Sequence, residues 1–208
     1  MEPTARLFRT LANYRRLRIL RLLAVLKEYR VSELTRAMGL HPATVSRHLV
    51  SLSVCGIVWQ RRSGSAVYYR FAEKPSNPLT MEVLSLLTRV FDRVRERDPK
   101  RVASNDQASS PEHSDAALFR LFTAFTHPRR LQIIRHLSEH GPCTQFVLTS
   151  ALGMSPTALC RHMTKLSLRH IVDMQKSEGL SAYRLVPTGD DVRGVLLRSV
   201  VVSLRTSK

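Results

Sequence analysis

His41, Ala43, Thr44, Ser46 and Arg47 lie in one short stretch, Met38-Gly39-Leu40-His41-Pro42-Ala43-Thr44-Val45-Ser46-Arg47-His48-Leu49. Imidazole, hydroxyl and guanidinium groups at these spacings can exchange hydrogen bonds with a polar surface, and Ala43 adds a small apolar contact. No nucleophile is paired with a base in a triad-like order, so the chemistry is recognition and not bond making. An arginine fork matches the O6 and N7 acceptors of guanine; the plainer role for Arg47 is a phosphate contact. A second stretch, 152–163, repeats the pattern with Ser155, Thr157 and Arg161. His136, His140 and Cys143 offer a different chemistry. Two histidines four residues apart share a helix face, and a cysteine three further on could complete a soft-metal site. Three ligands without a fourth favour semi-buried polar residues instead, so neither metal nor cofactor is expected.

These side chains need a mount. Gly39 tolerates the left-handed backbone that ends a helix. Pro42 suits the first turn of the next, where its missing N–H would have no intrahelical partner. The outcome is helix, tight turn, helix, with Val45, Leu49 and Leu52 inward and the small, hydroxyl and basic residues outward. A second helix of that kind suits a DNA major groove. Gly153 and Pro156 give the same signals in the second stretch. Ser155 is there a better cap than His41, because its hydroxyl accepts a backbone N–H. The outer face is weaker, however: Ala158 replaces Thr44 and Cys160 replaces Ser46.

The likeness extends well beyond the two stretches. Shifting the chain by 114 residues lays 6–71 on 120–185 without a gap, and 23 of the 66 pairs are identical. That register predicts a duplicated domain. The expected organisation is residues 1–97, a polar linker over 98–114, and residues 115–208. Their net charges are +11, −1 and +7.

Helical spacing is expected over 5–12, over 14–28 with Arg15, Arg16, Arg18 and Arg21 on a solvated face, over 31–38 with Ser32 as cap, and over 42–54. The periodicity then changes to a hairpin, strands at 57–61 and 66–71 about a turn at 62–65. A basic hairpin after such a helix is a wing, and Gln60, Arg61 and Arg62 are placed to meet phosphates or a minor groove. A helix from Pro78 to about Arg97 follows. The second copy's wing offers Lys176 alongside Glu178, and His170 falls where Gly56 provides the first copy's helix exit. Asp191 and its neighbours should cap a last helix that buries Val195, Leu196, Val200, Val202 and Leu204. The fold class is therefore mainly α with small β-hairpin wings, as two tandem winged helix-turn-helix domains.

The net charge of +17 on 208 residues favours a polyanionic partner. No apolar run is long enough to span a bilayer, no export signal is evident at the N-terminus, and three cysteines give no disulfide framework; a cytoplasmic location without membrane contact is expected. No glycine-rich phosphate loop or paired carboxylates are present, so an enzyme is not expected. Double-stranded DNA is the expected partner. The alternative to a sequence-specific regulator is a sequence-indifferent architectural protein of the nucleoid.

The run Arg15-Arg16-Leu17 to Leu20, then Ser32-Glu33-Leu34, His41 to Leu49 and the hairpin ending Val67-Tyr68-Tyr69-Arg70 resembles the arsenic-resistance-repressor (ArsR/SmtB) family of winged-helix regulators. The resemblance covers 5–97 well and 115–205 less closely. It implies repression of transcription and dimerisation through the first and last helices. In this chain that means an intramolecular pseudodimer, with a homodimer of two chains also open, on half-sites about 10 bp apart. Metal-sensing members carry Glu-Leu-Cys-Val-Cys-Asp-Leu at the start of the first helix of the motif. The matching residues, 28–34, contain no cysteine, and Cys143 in the second copy is one position off. The family's metal chemistry is therefore not expected here.

Overall fold

The computed structural model describes residues 1–26, 28–97, 112–177 and 180–206. Most of the expected linker, 98–111, and the second wing's Glu178-Gly179 tip lie outside the described residues. In chain order the elements are α1 (Glu2–Leu11), α2 (Tyr14–Leu26), β1 (Glu28–Arg30), α3 (Val31–Met38), α4 (Pro42–Val54), β2 (Val58–Ser63), β3 (Ala66–Phe71) and α5 (Pro78–Arg97). They continue as α6 (Glu112–Thr123), α7 (Pro128–His140), β4 (Cys143–Thr144), α8 (Gln145–Leu152), α9 (Pro156–Ser167), β5 (Val172–Ser177), β6 (Leu180–Leu185) and α10 (Val192–Thr206). The protein is mainly helical, with two small antiparallel sheets ordered β1-β3-β2 and β4-β6-β5. Among the described residues no helix is long and apolar enough to cross a membrane.

The chain forms two compact units that do not follow chain order: residues 9–119, and residues 1–8 together with 120–208. In the 9–119 unit, Leu17, Leu20 and Leu23 of α2 are buried with Val45, Leu49 and Leu52 of α4 and with Val83 and Leu87 of α5. Tyr14 stacks on Phe119 with ring centroids 4.3 Å apart, and Arg21 pairs with Asp115. Burial pushes the Asp115 carboxyl up, against the opposing pull of Arg21. In the other unit Phe8 packs between Phe122 and Phe125, at 5.8 and 4.9 Å.

Several expectations are corrected. Glu28, expected at the end of α2, instead opens β1, which pairs with β3, Tyr29 opposite Tyr69; three residues are too few to show a period. The cap of α3 is Arg30 and not Ser32: the Arg30 backbone N–H donates to Glu33 Oε2 at 2.8 Å. Strand β2 runs on to Ser63, which narrows the turn to Gly64 and Ser65. In α10 Val202 is exposed, Val195 is half-buried, and Leu197 joins the core instead. Asp191 does cap that helix, its Oδ1 accepting from Gly194 N–H at 2.9 Å.

Arg16 does not lie on a solvated face. Its Nη1 donates to the carbonyl oxygens of Thr10 at 2.8 Å and Arg9 at 3.5 Å. These belong to the last turn of α1, where carbonyls have no partner within the helix. Arg130, its match 114 residues on, is only 6% exposed. It donates to Ala124 O at 2.7 Å, Thr123 O at 2.6 Å and Thr126 Oγ1 at 2.8 Å. Each arginine closes the end of the helix that precedes its own.

After α4 the chain turns through Gly56 at φ 66°; after α9 it turns through His170 at φ 53°. A side chain in left-handed backbone costs about 1–2 kcal/mol. His170→Gly removes that strain but gives the unfolded chain more freedom. The expected net gain is about 0.5–1 kcal/mol, read as a higher urea midpoint; a lower midpoint would refute the strain.

Candidate nucleic-acid interface

In the 9–119 unit, α3 ends at Gly39 (φ 61°), and Leu40 N–H reaches back to Thr35 O at 3.4 Å. His41 then caps α4, its Nδ1 accepting from Ala43 N–H at 3.3 Å. The ring is thus engaged through one nitrogen, and His41 stays exposed. Pro42 opens the helix. Val45, Leu49 and Leu52 are buried, which leaves Ala43 and Arg47 exposed, with Thr44 and Ser46 half-buried beside them. The Arg47 guanidinium has no hydrogen bond or ion pair among the described residues. His48 turns inward; burial first, then the charges of Arg16, Arg15 and Arg47, hold its imidazole below the usual range. The Arg-His pair therefore divides its work: one residue faces out and the other packs.

The wing is more engaged than its sequence suggests. Register places Tyr68 of β3 opposite both Arg30 of β1 and Arg61 of β2. Both guanidinium groups lie over its ring, at 5.1 and 4.8 Å, and Arg30 Nε donates to its hydroxyl at 2.6 Å. Arg61 also grips Glu28 with Nη2 at 2.9 Å and Nε at 3.3 Å, a hydrogen bond that draws the Glu28 carboxyl below the ordinary range. Arg70 covers the exposed Trp59 at 4.7 Å. Gln60 Oε1 accepts from the Tyr69 hydroxyl at 2.8 Å. Of the three wing candidates, Arg62 alone is exposed without a hydrogen bond or ion pair among the described residues. Sequence reasoning missed Glu28, Arg30, Tyr68 and Trp59. Their signal, arginine alternating with aromatics, becomes visible only once β1 is placed beside β3.

In the unit of 1–8 and 120–208, α8 ends at Gly153 (φ 55°). Ser155 Oγ accepts from Ala158 N–H at 3.3 Å, the same distance as the His41 cap. Thr157, Cys160 and Arg161 are exposed on α9, and Lys176 is exposed on β5. Asp173 stands where the first wing has Trp59 and pairs with Arg184 at 3.0 Å. His162 packs inward against the His127 ring, at 4.7 Å. Burial first, then His127, Arg130, Arg161 and Lys165, lower its imidazole to about 4. The unfolded chain thus binds a proton that the folded unit refuses, and stability is lost as pH falls from about 6.5 toward about 4. His162→Gln should shrink the drop in urea midpoint between pH 7 and pH 5; an unchanged drop would count against this assignment.

The three metal candidates are not assembled into a site. The His136 and His140 rings stack at 4.2 Å, and Cys143 is buried, its Sγ donating to Gly141 O at 3.4 Å. Among the described residues no group of three ligating side chains could hold a metal ion.

The family model described as bacterial regulatory protein, arsR family, matches residues 13–59. An arsenic resistance transcriptional regulator of Pseudomonas putida is 44% identical over 63 residues, 30% of this chain and 49% of that protein. An HTH-type transcriptional regulator of Mycobacterium tuberculosis is 42% identical over 72 residues, 35% of this chain and 31% of that protein. The chain thus matches half or less of the length of these relatives. No solved structure matches it. The matched segment runs from α2 through the whole helix-turn-helix to the first residues of β2: residues 13–59 are an arsR-family DNA-binding domain.

Proposed function

We propose that the protein is a sequence-specific transcriptional repressor that works as a single-chain pseudodimer of two tandem winged helix-turn-helix domains. One observation carries this reading: Ala43 and Arg47 are exposed on α4, which packs against β2, where Arg62 is exposed as well, and neither arginine side chain makes a hydrogen bond or ion pair among the described residues. Recurrence of the same element order after α6 supports the tandem arrangement. So does the make-up of the units. Residues 1–8 belong with the second helix-turn-helix, and Asp115 and Phe119 belong with the first. The 9–119 unit is the stronger reader. The other keeps Ser155, Thr157, Arg161 and Lys176 but has Cys160, Ala158 and Asp173 where its counterpart has Ser46, Thr44 and Trp59.

One relative's name refers to arsenic resistance. The positions that carry cysteine in metal-sensing members are Arg30 and Ser32 here, and Arg30 is committed to Tyr68 and Glu33. The repressor proposed here does not sense metal through these positions. The test is selection of bound duplexes from a random library with the purified protein. Two related half-sites about 10 bp apart are expected. One half-site alone would remove the pseudodimer reader, and no enrichment, with a steep salt dependence on any duplex, would leave the architectural alternative.

A further inference from the structure

The outward face of α4 carries more than the residues named so far. Ala43, Arg47, Val50 and Val54 are spaced four, three and four apart, so they stack along one side of the helix, opposite the buried Val45, Leu49 and Leu52. Val50 is 55% exposed and Val54 58%. The corresponding residues of α9 are Thr157, Arg161 and Thr164, followed at its C-cap by Leu168, which is 72% exposed. Both helices thus place a methyl-bearing, β-branched side chain one turn beyond the exposed arginine. Hydroxyls nearby are turned away. Ser51 Oγ donates to Arg47 O at 2.9 Å, and Thr164 Oγ1 donates to Cys160 O at 2.9 Å. What Thr164 has left to present is its methyl group, the same group Val50 presents.

An apolar spot on a charged reading face needs an apolar partner. In the major groove that partner is the C5-methyl of thymine, the one apolar feature among base edges. A helical turn advances about 5 Å, which carries Val50 beyond the base pair that Arg47 would meet and onto a neighbour. We infer that Val50, and Thr164 in the second unit, are specificity-determining residues that each contact a thymine methyl next to the base read by Arg47 or Arg161. This rests on the proposed reading of DNA by α4 and α9.

The experiment uses the full chain and the selected duplex, with each thymine replaced singly by deoxyuridine, which removes the methyl and nothing else. Binding is expected to weaken about 3–10-fold at one thymine per half-site, the scale of one buried methyl with its packing. Val50→Ala is exposed and should fold normally. It should lose the deoxyuridine penalty in one half-site while keeping the guanine preference. Thr164→Ser should do the same in the other. A penalty that persists in full in Val50→Ala overturns the assignment, as does a duplex whose thymines are all replaceable without cost while its guanine preference remains. Absence of any enriched sequence overturns the proposed function as well.

Discussion

Arg47→Ala should lower affinity for the selected duplex by about 5–150-fold, the range for one bidentate arginine–guanine pair, and should flatten the preference at one base pair. The expectation follows from what the side chain does not do. It is exposed and makes no hydrogen bond or ion pair among the described residues, so its removal leaves no orphaned group, and folding stability should change by no more than about 0.5 kcal/mol. The neighbouring His48 is packed inward and sets the helix on the core, while His41 spends one nitrogen on the cap. That leaves Arg47 as the only long donor on the centre of the face. A phosphate contact predicts a different pattern, an equal loss on matched and mismatched duplexes with a salt slope smaller by about one. Titrations of wild type and variant on both duplexes at two salt concentrations separate the two, and equal losses would sink base readout. Arg161→Ala should have the smaller effect, because its face lacks the hydroxyl of Ser46 and its wing lacks the base at Arg61.

Arg130→Ala should destabilise its unit by about 3 kcal/mol. A charge-assisted hydrogen bond contributes roughly 1.5–3 kcal/mol, and a buried acceptor left unpaired adds its own desolvation cost. Arg130 serves the carbonyls of Thr123 and Ala124 and the hydroxyl of Thr126 while nearly buried. Burial lowers the proton affinity of its guanidinium, as it does for Arg16, yet the three acceptors keep the charge in place. Arg16→Ala should cost less, since Arg16 meets two carbonyls, one of them at 3.5 Å, and is more exposed. Urea unfolding of both variants tests the ranking; a cost below about 1 kcal/mol for Arg130 would mean that water replaces it freely.

The helix-turn-helix was legible because its signals are local. Gly39, Pro42 and the Val45-Leu49-Leu52 stripe each act within one or two turns, and the structure places all of them as those signals require. The wing's position was legible too, but its inner bonding was not. Arg61 and Arg62 are equivalent in composition and differ only because β1 brings Glu28 within reach of one of them, a pairing across 33 residues. Arg16 was misjudged for a similar reason. A helical period shows that an arginine is off the apolar stripe, but not that a preceding helix ends beside it with unpaired carbonyls. His170 was the reverse case. Its place in register with Gly56 marked it from sequence, and its positive φ bears that out.

The stacking of Arg70 on Trp59 has a practical consequence. Trp59 is the chain's single tryptophan, and it sits exposed on one wing under a guanidinium group, while the other unit has an aspartate at the matching place. Tryptophan emission, excited beyond the absorption of the five tyrosines, therefore reports on the 9–119 wing alone. Quenching during a titration would time that wing's arrival at a duplex, with no label attached and no background from the second half of the molecule.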